Sequence, residues 1–257
     1  MRVVVTGGAG NLGRQVIAAL TAAGHDGISA SRRSGVDITT GAGLADALEG
    51  AEAVVHTADT LLPWQFTRVT IEGTRRVAEA AASRPVPPHL VYISIAGVDR
   101  HPYRYYRAKL AAEQAILGIG APATVVRATQ FHSLAAAFAS TLRIGRVAFG
   151  LRGMRIQPVD IAWVAGRLAE IATGQRPAAA VRHVDLAGPD VFDLERIAAL
   201  VAAHQGRPAP RKLALPPVGG TLRAFADGVI LPAAGAEIGG ERFVEWLARQ
   251  PARLPRR

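Results

Sequence analysis

Eight residues near the start of the chain, TGGAGNLG at 6–13, limit the fold more than any other stretch. Gly7, Gly10 and Gly13 are spaced G-x-x-G-x-x-G. In a glycine-rich chain that spacing arises about 0.3 times by chance, so it means little alone. Its position carries the weight. The apolar, β-branched run RVVVT (2–6) precedes it and reads as a strand; NLGRQVIAALTAAG (11–24) follows with apolar residues at helical spacing. A strand that turns through residues without Cβ into a helix lets backbone approach a pyrophosphate, whose charge then rests on the helix N-terminus. Gly7, Gly10, Asn11, Leu12 and Gly13 are therefore expected to hold a dinucleotide.

The strand-then-helix rhythm continues. DGISAS (26–31), AEAVVHTA (51–58), HLVYISI (89–95) and ATVVRAT (123–129) read as strands or lead into them. Helical patterns lie between them at 43–50, 66–83 and 103–120. The expectation is an α/β chain with a Rossmann-type, doubly wound parallel sheet. Past residue 130 the rhythm loosens. Helices are expected at 131–142, from an N-cap at Asp160, in DLERIAALVAAHQG and in ERFVEWLARQ, with a strand at 181–188. We read residues 1–130 as the nucleotide-binding core. Residues 131–257 then supply the remaining core elements and a smaller C-terminal substrate-binding lobe, within one compact unit.

The end of the second strand bears on which dinucleotide is bound. An acid there would hold a ribose 2′-hydroxyl, but this chain has Ser31, Arg32, Arg33 and Ser34. Guanidinium groups fork onto phosphate oxygens, so the pattern favours NADP(H) over NAD(H). Asp37 is placed either beside the adenine amino group or as a turn residue.

Lys109 is one of only two lysines in a chain that writes its other cations as arginine. It follows Tyr105 by four residues in YRYYRAKL, so the two side chains share a helix face. Composition predicts Tyr-x-x-x-Lys about 0.03 times, so this pair is a specific signal. An ammonium beside a phenol favours the phenolate, which suits a group that exchanges a proton with a carbonyl oxygen. A slender ammonium can also reach ribose hydroxyls.

Taken in order, TGGAGNLG, VVHTAD, YISIAG and YYRAK resemble the short-chain dehydrogenase/reductase family across residues 1–130. RATQFH (127–132) and RIQPVDIAWVA (155–165) are similar to its atypical, NmrA-like NAD(P)-binding branch. The resemblance implies that Tyr105 is the catalytic acid/base and that Lys109 holds the nicotinamide ribose and lowers the Tyr105 pKa. It implies that Ser94 orients the substrate oxygen, although Ile95 stands where a second Ser or Thr is common. Thr57 and Ala58 match the loop that passes the cofactor ribose, and Thr129 the segment beside the nicotinamide. Gln130, Phe131 and His132 would then face substrate, with Trp64 and Arg155 as further candidates. Phe138, Met154 and Trp163 are further apolar candidates, although residues of this kind more often belong to the core. The implied activity is hydride transfer between NADP(H) and a carbonyl or quinone of a small organic substrate. A redox sensor without catalysis and a redox-neutral epimerase or dehydratase are the alternatives.

Composition removes other classes. With no cysteine there is neither disulfide nor thiolate chemistry, and no His/carboxylate spacing suggests a metal. The net charge of +10 is spread along the chain except for the tail RLPRR, which argues against nucleic acid as partner. No apolar run reaches membrane length and no leader is visible, so a cytoplasmic protein is expected. A homodimer through helices 66–83 and 103–120 is an option.

Overall fold

The structure is a computed structural model. It describes residues 1–252 apart from 142, 145 and 146, and without the side chains of 141, 143 and 144. The basic tail RLPRR lies outside the described residues. The chain forms two interleaved units, one of Met1–Ser94, Tyr103–Arg127 and Val164–Val184, the other of Ile95–Pro102, Ala128–Trp163 and Asp185–Arg257.

In the first unit the strands are β1 (Arg2–Thr6), β2 (Asp26–Ala30), β3 (Ala53–His56), β4 (His89–Ile95) and β5 (Ala123–Ala128). They lie in the order β5-β4-β3-β1-β2. Val4 pairs with Ile28 on one side and Val54 on the other, and Val54 with Leu90, all in parallel register. The chain therefore leaves β1 to one side for β2 and returns to its other side for β3. That reversal is the strand-order switch outside which α/β sheets open a crevice at their carboxyl ends. Helices α1 (Asn11–Ala22), α2 (Leu44–Ala47), α3 (Thr74–Ala82) and α4 (Arg104–Leu117) flank the sheet. Val4, Val54, Leu90, Tyr92, Val77, Ala112 and Ile116 share one buried core, as expected of strands covered on both faces. Glu113 of α4 is fully buried and takes a two-pronged hydrogen bond from Arg127 of β5, at 3.0 and 2.8 Å. The charge is thereby paired, as a buried charge must be.

The helix expected over 66–83 is not uniform. Phe66–Gly73 forms wide π turns before α3 begins at Thr74. Val69, Thr70 and Ile71 are three consecutive β-branched residues, which crowd an α-turn. The wide turn directs Thr70 to the site described below, a frequent use of such bulges. Both this segment and α3 pack on α4.

The second unit contains α5 (His132–Thr141), β6 (Arg143–Ile144), β7 (Val147–Leu151), β8 (Arg155–Ile156) and the start of α6 (Ile161–Thr173). Later elements are β10 (Leu186–Ala187), β11 (Phe192–Asp193), α7 (Leu194–His204), β12 (Arg211–Leu215), α8 (Gly219–Ala226), β13 (Glu237–Ile238) and α9 (Phe243–Ala248). The strand expected over 181–188 is broken: β9 (Val181–Arg182) pairs with β5 in the first unit, and β10 pairs with β13 and with Ala128 in the second. The parallel pair β7/β12 was not foreseen from the sequence. Asp160 accepts hydrogen bonds from the Ala162 and Trp163 amides, the capping role read from its position.

Candidate active site

The glycine loop leaves β1 and returns into α1. Gly7 has φ 75°, and a Cβ there would stand 2.6 Å from the Ala58 nitrogen. A Cβ on Gly13 would run into the Gly7 carbonyl oxygen. The first position needs left-handed backbone and the second needs close approach, so only glycine fits either. Gly10, in extended backbone, precedes Asn11 at the head of α1, and Leu12 is buried beneath it. The Thr57 amide and hydroxyl both donate to the Thr6 carbonyl at 2.9 Å. Thr57 and Ala58 are thereby held against the loop. Arg14, in the first turn of α1, donates to the Ala9 carbonyl at 2.5 Å. It is a cation at the loop that sequence reasoning missed.

Beyond β2, Ser31, Arg32, Arg33 and Ser34 form a tight turn. The Ser34 hydroxyl accepts from the Ser31 amide at 2.9 Å, and both arginines are exposed. Asp37 is a turn residue: its Oδ1 accepts from the amide and the hydroxyl of Thr39, each at 2.8 Å. The Thr39 amide and hydroxyl hold its carboxyl below the usual range.

Tyr105 and Lys109 do share a face of α4, and a third residue joins them. The Tyr105 hydroxyl donates to Asp59 Oδ2 at 2.6 Å, and the Lys109 ammonium lies 3.4 Å from the same oxygen. Oδ1 of Asp59 accepts from the Thr70 hydroxyl at 2.7 Å and the Thr60 amide at 2.8 Å. Lys109 also donates to the Ile93 carbonyl at 2.8 Å and lies over the Tyr92 ring at 4.3 Å. It is thus anchored one residue before Ser94. Ser94 is buried, and its hydroxyl has no hydrogen-bond partner among the described residues. An orphaned buried hydroxyl is an exception among buried polar groups.

The charges differ from the sequence expectation in one respect. Lys109 was expected to lower the Tyr105 pKa. Burial pushes the phenol up, the Asp59 charge and its hydrogen bond add to that, and Lys109 offsets only part, so the net shift is upward. At Asp59, burial pushes the carboxyl up. The Lys109 charge and the hydrogen bonds from Tyr105, Thr70 and Thr60 together outweigh it, leaving the carboxyl below its usual value. His56, fully buried at the end of β3, packs between two hydroxyls: Thr6 Oγ1 lies 2.6 Å from Nδ1, and Thr74 Oγ1 2.9 Å from Nε2.

Asp59 and Thr70 were not singled out from the sequence. Asp59 ends the VVHTAD motif, but its partner Tyr105 lies 46 residues on, and no local pattern joins them. Trp64 is 76% exposed, in a short turn at Pro63–Gln65.

The remaining candidates belong to the second unit. Thr129 is buried with an unpartnered hydroxyl, and its amide donates to Leu186. Gln130 donates to the Ile230 carbonyl at 3.4 Å and keeps an unpartnered Oε1. Phe131 bridges to Val159 through its backbone. His132 is buried: its Nε2 is 2.9 Å from the Glu241 carbonyl, and its ring packs on Phe243 and Trp246. That is the setting of a core histidine. Arg155 is exposed on β8, while Gln157 is tied to the Gly188 carbonyl at 2.7 Å.

No group of three or more His, Asp or Glu among the described residues forms a metal cluster, and no described helix is long and apolar enough to cross a membrane.

A strand–glycine loop–helix on a parallel sheet, with Tyr and Lys four apart on α4, defines a class. Residues 3–130 match the model of the NAD dependent epimerase/dehydratase family. Over those residues the chain is similar to that family, which lies within the short-chain dehydrogenase/reductase superfamily. Among solved structures it is similar to the NADPH-dependent quinone oxidoreductase QOR2 of Escherichia coli complexed with NADPH. There the identity is 17% and the TM-score 0.75, covering 96% of this chain and 98% of that one. It is also similar to a nucleoside-diphosphate-sugar epimerase of Staphylococcus aureus, at 16% identity and TM-score 0.75, over 97% and 100% of the two chains. A third is a short-chain dehydrogenase/reductase superfamily protein of Agrobacterium tumefaciens with bound NAD, at 19% identity and TM-score 0.70, over 96% of each. At these identities the likeness is one of fold. No curated protein is significantly similar in sequence.

Proposed function

We propose that this protein is an NADP(H)-dependent oxidoreductase that moves a hydride between nicotinamide and a carbonyl or quinone of a small organic substrate. The observation that carries the reading is the Tyr105–Lys109 pair on α4, facing the end of β3 on the edge where the glycine loop lies. Gly7, Gly10 and Gly13, with the head of α1, would take the pyrophosphate. Arg32, Arg33 and Ser31 would take a 2′-phosphate, and Thr57 and Ala58 would pass the ribose. When bound, the nicotinamide supplies the hydride chemistry. Tyr105 then holds or gives the proton at the substrate oxygen, Lys109 fixes the charge around it, and Ser94 offers its free hydroxyl to that oxygen. A neighbour in complex with NADPH and another with bound NAD support a nicotinamide cofactor. The arginine pair favours the phosphorylated form. The test is transfer of deuterium from NADPH deuterated at nicotinamide C4 into the product of a quinone, ketone or aldehyde. Absence of label in every product while NADPH binds would refute the reading.

A second reading is redox-neutral epimerase or dehydratase chemistry. The family model and the sugar-nucleotide epimerase neighbour favour it. It would show as tightly retained dinucleotide and turnover without net change in its redox state. A sensor without catalysis leaves the Tyr105–Lys109 pair without a use.

A further inference from the structure

We propose that Asp59 is the proton acceptor behind Tyr105, so that the two act as a relay that removes the hydroxyl proton of an alcohol substrate. The inference rests on the oxidoreductase reading and deepens it. A phenol has one proton to donate, and in Tyr105 that proton is given to Asp59 Oδ2 at 2.6 Å. What Tyr105 offers to a substrate is therefore its oxygen lone pairs, which accept. Asp59 is built as a fixed acceptor. Thr70 and Thr60 fill Oδ1, Lys109 stands 3.4 Å from Oδ2, and the side chain keeps 23% exposure for exchange with water. The titratable groups that face it are Tyr105 and Lys109 from α4, Tyr92 from β4 and His56 from β3. Burial and the Asp59 charge both disfavour a free phenolate. The 2.6 Å hydrogen bond to Asp59 gives the proton a path through the phenol.

The step balances. The alcohol C–H bond breaks and its electron pair leaves as hydride to an oxidised nicotinamide dinucleotide, which is the oxidant. The alcohol O–H proton moves to Tyr105 Oη as the Tyr105 proton moves to the Asp59 carboxylate. The carbon–oxygen double bond forms, and Asp59 returns its proton to solvent. Reduction runs the same transfers backwards from a protonated Asp59.

The test needs no substrate. Tyrosinate absorbance of the cofactor-free, full-length protein is followed on alkaline titration in wild type, Asp59→Asn and Asp59→Glu, with Tyr105→Phe to assign the signal. Asp59→Asn is expected to lower the Tyr105 transition by at least about one pH unit, and Asp59→Glu to restore much of it. An unshifted transition in a folded Asp59→Asn protein overturns the proposal. Should that variant not fold, ring-carbon NMR of wild type decides. Tyr105 is expected to stay protonated at about pH 10.5, just above the ordinary tyrosine value, and its ionisation there overturns the proposal. With any alcohol that the wild type oxidises, Asp59→Asn should lower kcat about 100-fold and Asp59→Glu should restore much of it. An undiminished kcat in a folded Asp59→Asn protein overturns the relay. A protein that oxidises no alcohol and reduces no carbonyl fails the oxidoreductase reading but leaves the titration result standing, so the two failures are distinguishable.

Discussion

Asp59 Oδ2 receives the Tyr105 hydroxyl at 2.6 Å and the Lys109 ammonium at 3.4 Å, so one carboxylate oxygen joins the end of β3 to the face of α4. The pair visible in the sequence is thus two-thirds of a charged cluster. Burial, joined by the charge of that third member, raises the phenol where Lys109 alone was expected to lower it.

Lysine at 109 is predicted to be irreplaceable by arginine. The ammonium is buried between the Ile93 carbonyl, Asp59 and the Tyr92 ring, where a planar guanidinium fork cannot sit without displacing one of them. Lys109→Arg should lose turnover about as severely as Lys109→Met, by roughly 100-fold or more. Turnover within a few fold of wild type in Lys109→Arg would show that only charge is required there.

Arg32 and Arg33 are predicted to set the cofactor preference. A charge-assisted hydrogen bond contributes about 1.5–3 kcal/mol, so replacing both with alanine should weaken NADPH binding by at least about 10-fold and leave NADH binding nearly unchanged. Fluorescence titration with each dinucleotide measures it. An unchanged ratio would mean the turn after β2 does not read the 2′-phosphate.

Stability is predicted to fall as pH drops from 6.5 towards 4. Burial, then the Lys109 charge, hold His56 at about 3 against an ordinary 6.5, and burial, then Arg176, hold His89 at about 4. Between those values the unfolded chain binds protons that the folded chain refuses, so folding is favoured above 6.5 and loses ground below it. The lowered Asp59 carboxyl extends the loss below its unfolded value of 3.8. Urea midpoints across this range check the sign. A midpoint that stays level or rises on acidification would contradict it.

What was legible in the sequence was local. The glycine loop, α1 and the strands β1 to β5 follow from periodicity and punctuation within a dozen residues of each other. The Tyr105–Lys109 pair follows from a spacing of four. What was not legible required contact between distant segments. Asp59 gains meaning only when β3 and α4 meet, and the π turns over Phe66–Gly73 arise from β-branched crowding that a hydrophobic pattern does not register. The split of 181–188 into β9 and β10 has the same origin, because successive residues of one short segment serve two units. The same holds for His132: its place after β5 suggested substrate contact, while its packing against Phe243 and Trp246 joins segments far apart in the chain.

The most direct test of the central claim is loss of reduced-nicotinamide absorbance when NADPH is mixed with a panel of quinones, ketones and aldehydes, with wild type beside Tyr105→Phe. The account predicts turnover of at least one member by wild type, and a fall of about 100- to 10,000-fold in Tyr105→Phe with NADPH affinity retained. Equal turnover by both proteins, or none by wild type while NADPH binds, would contradict it.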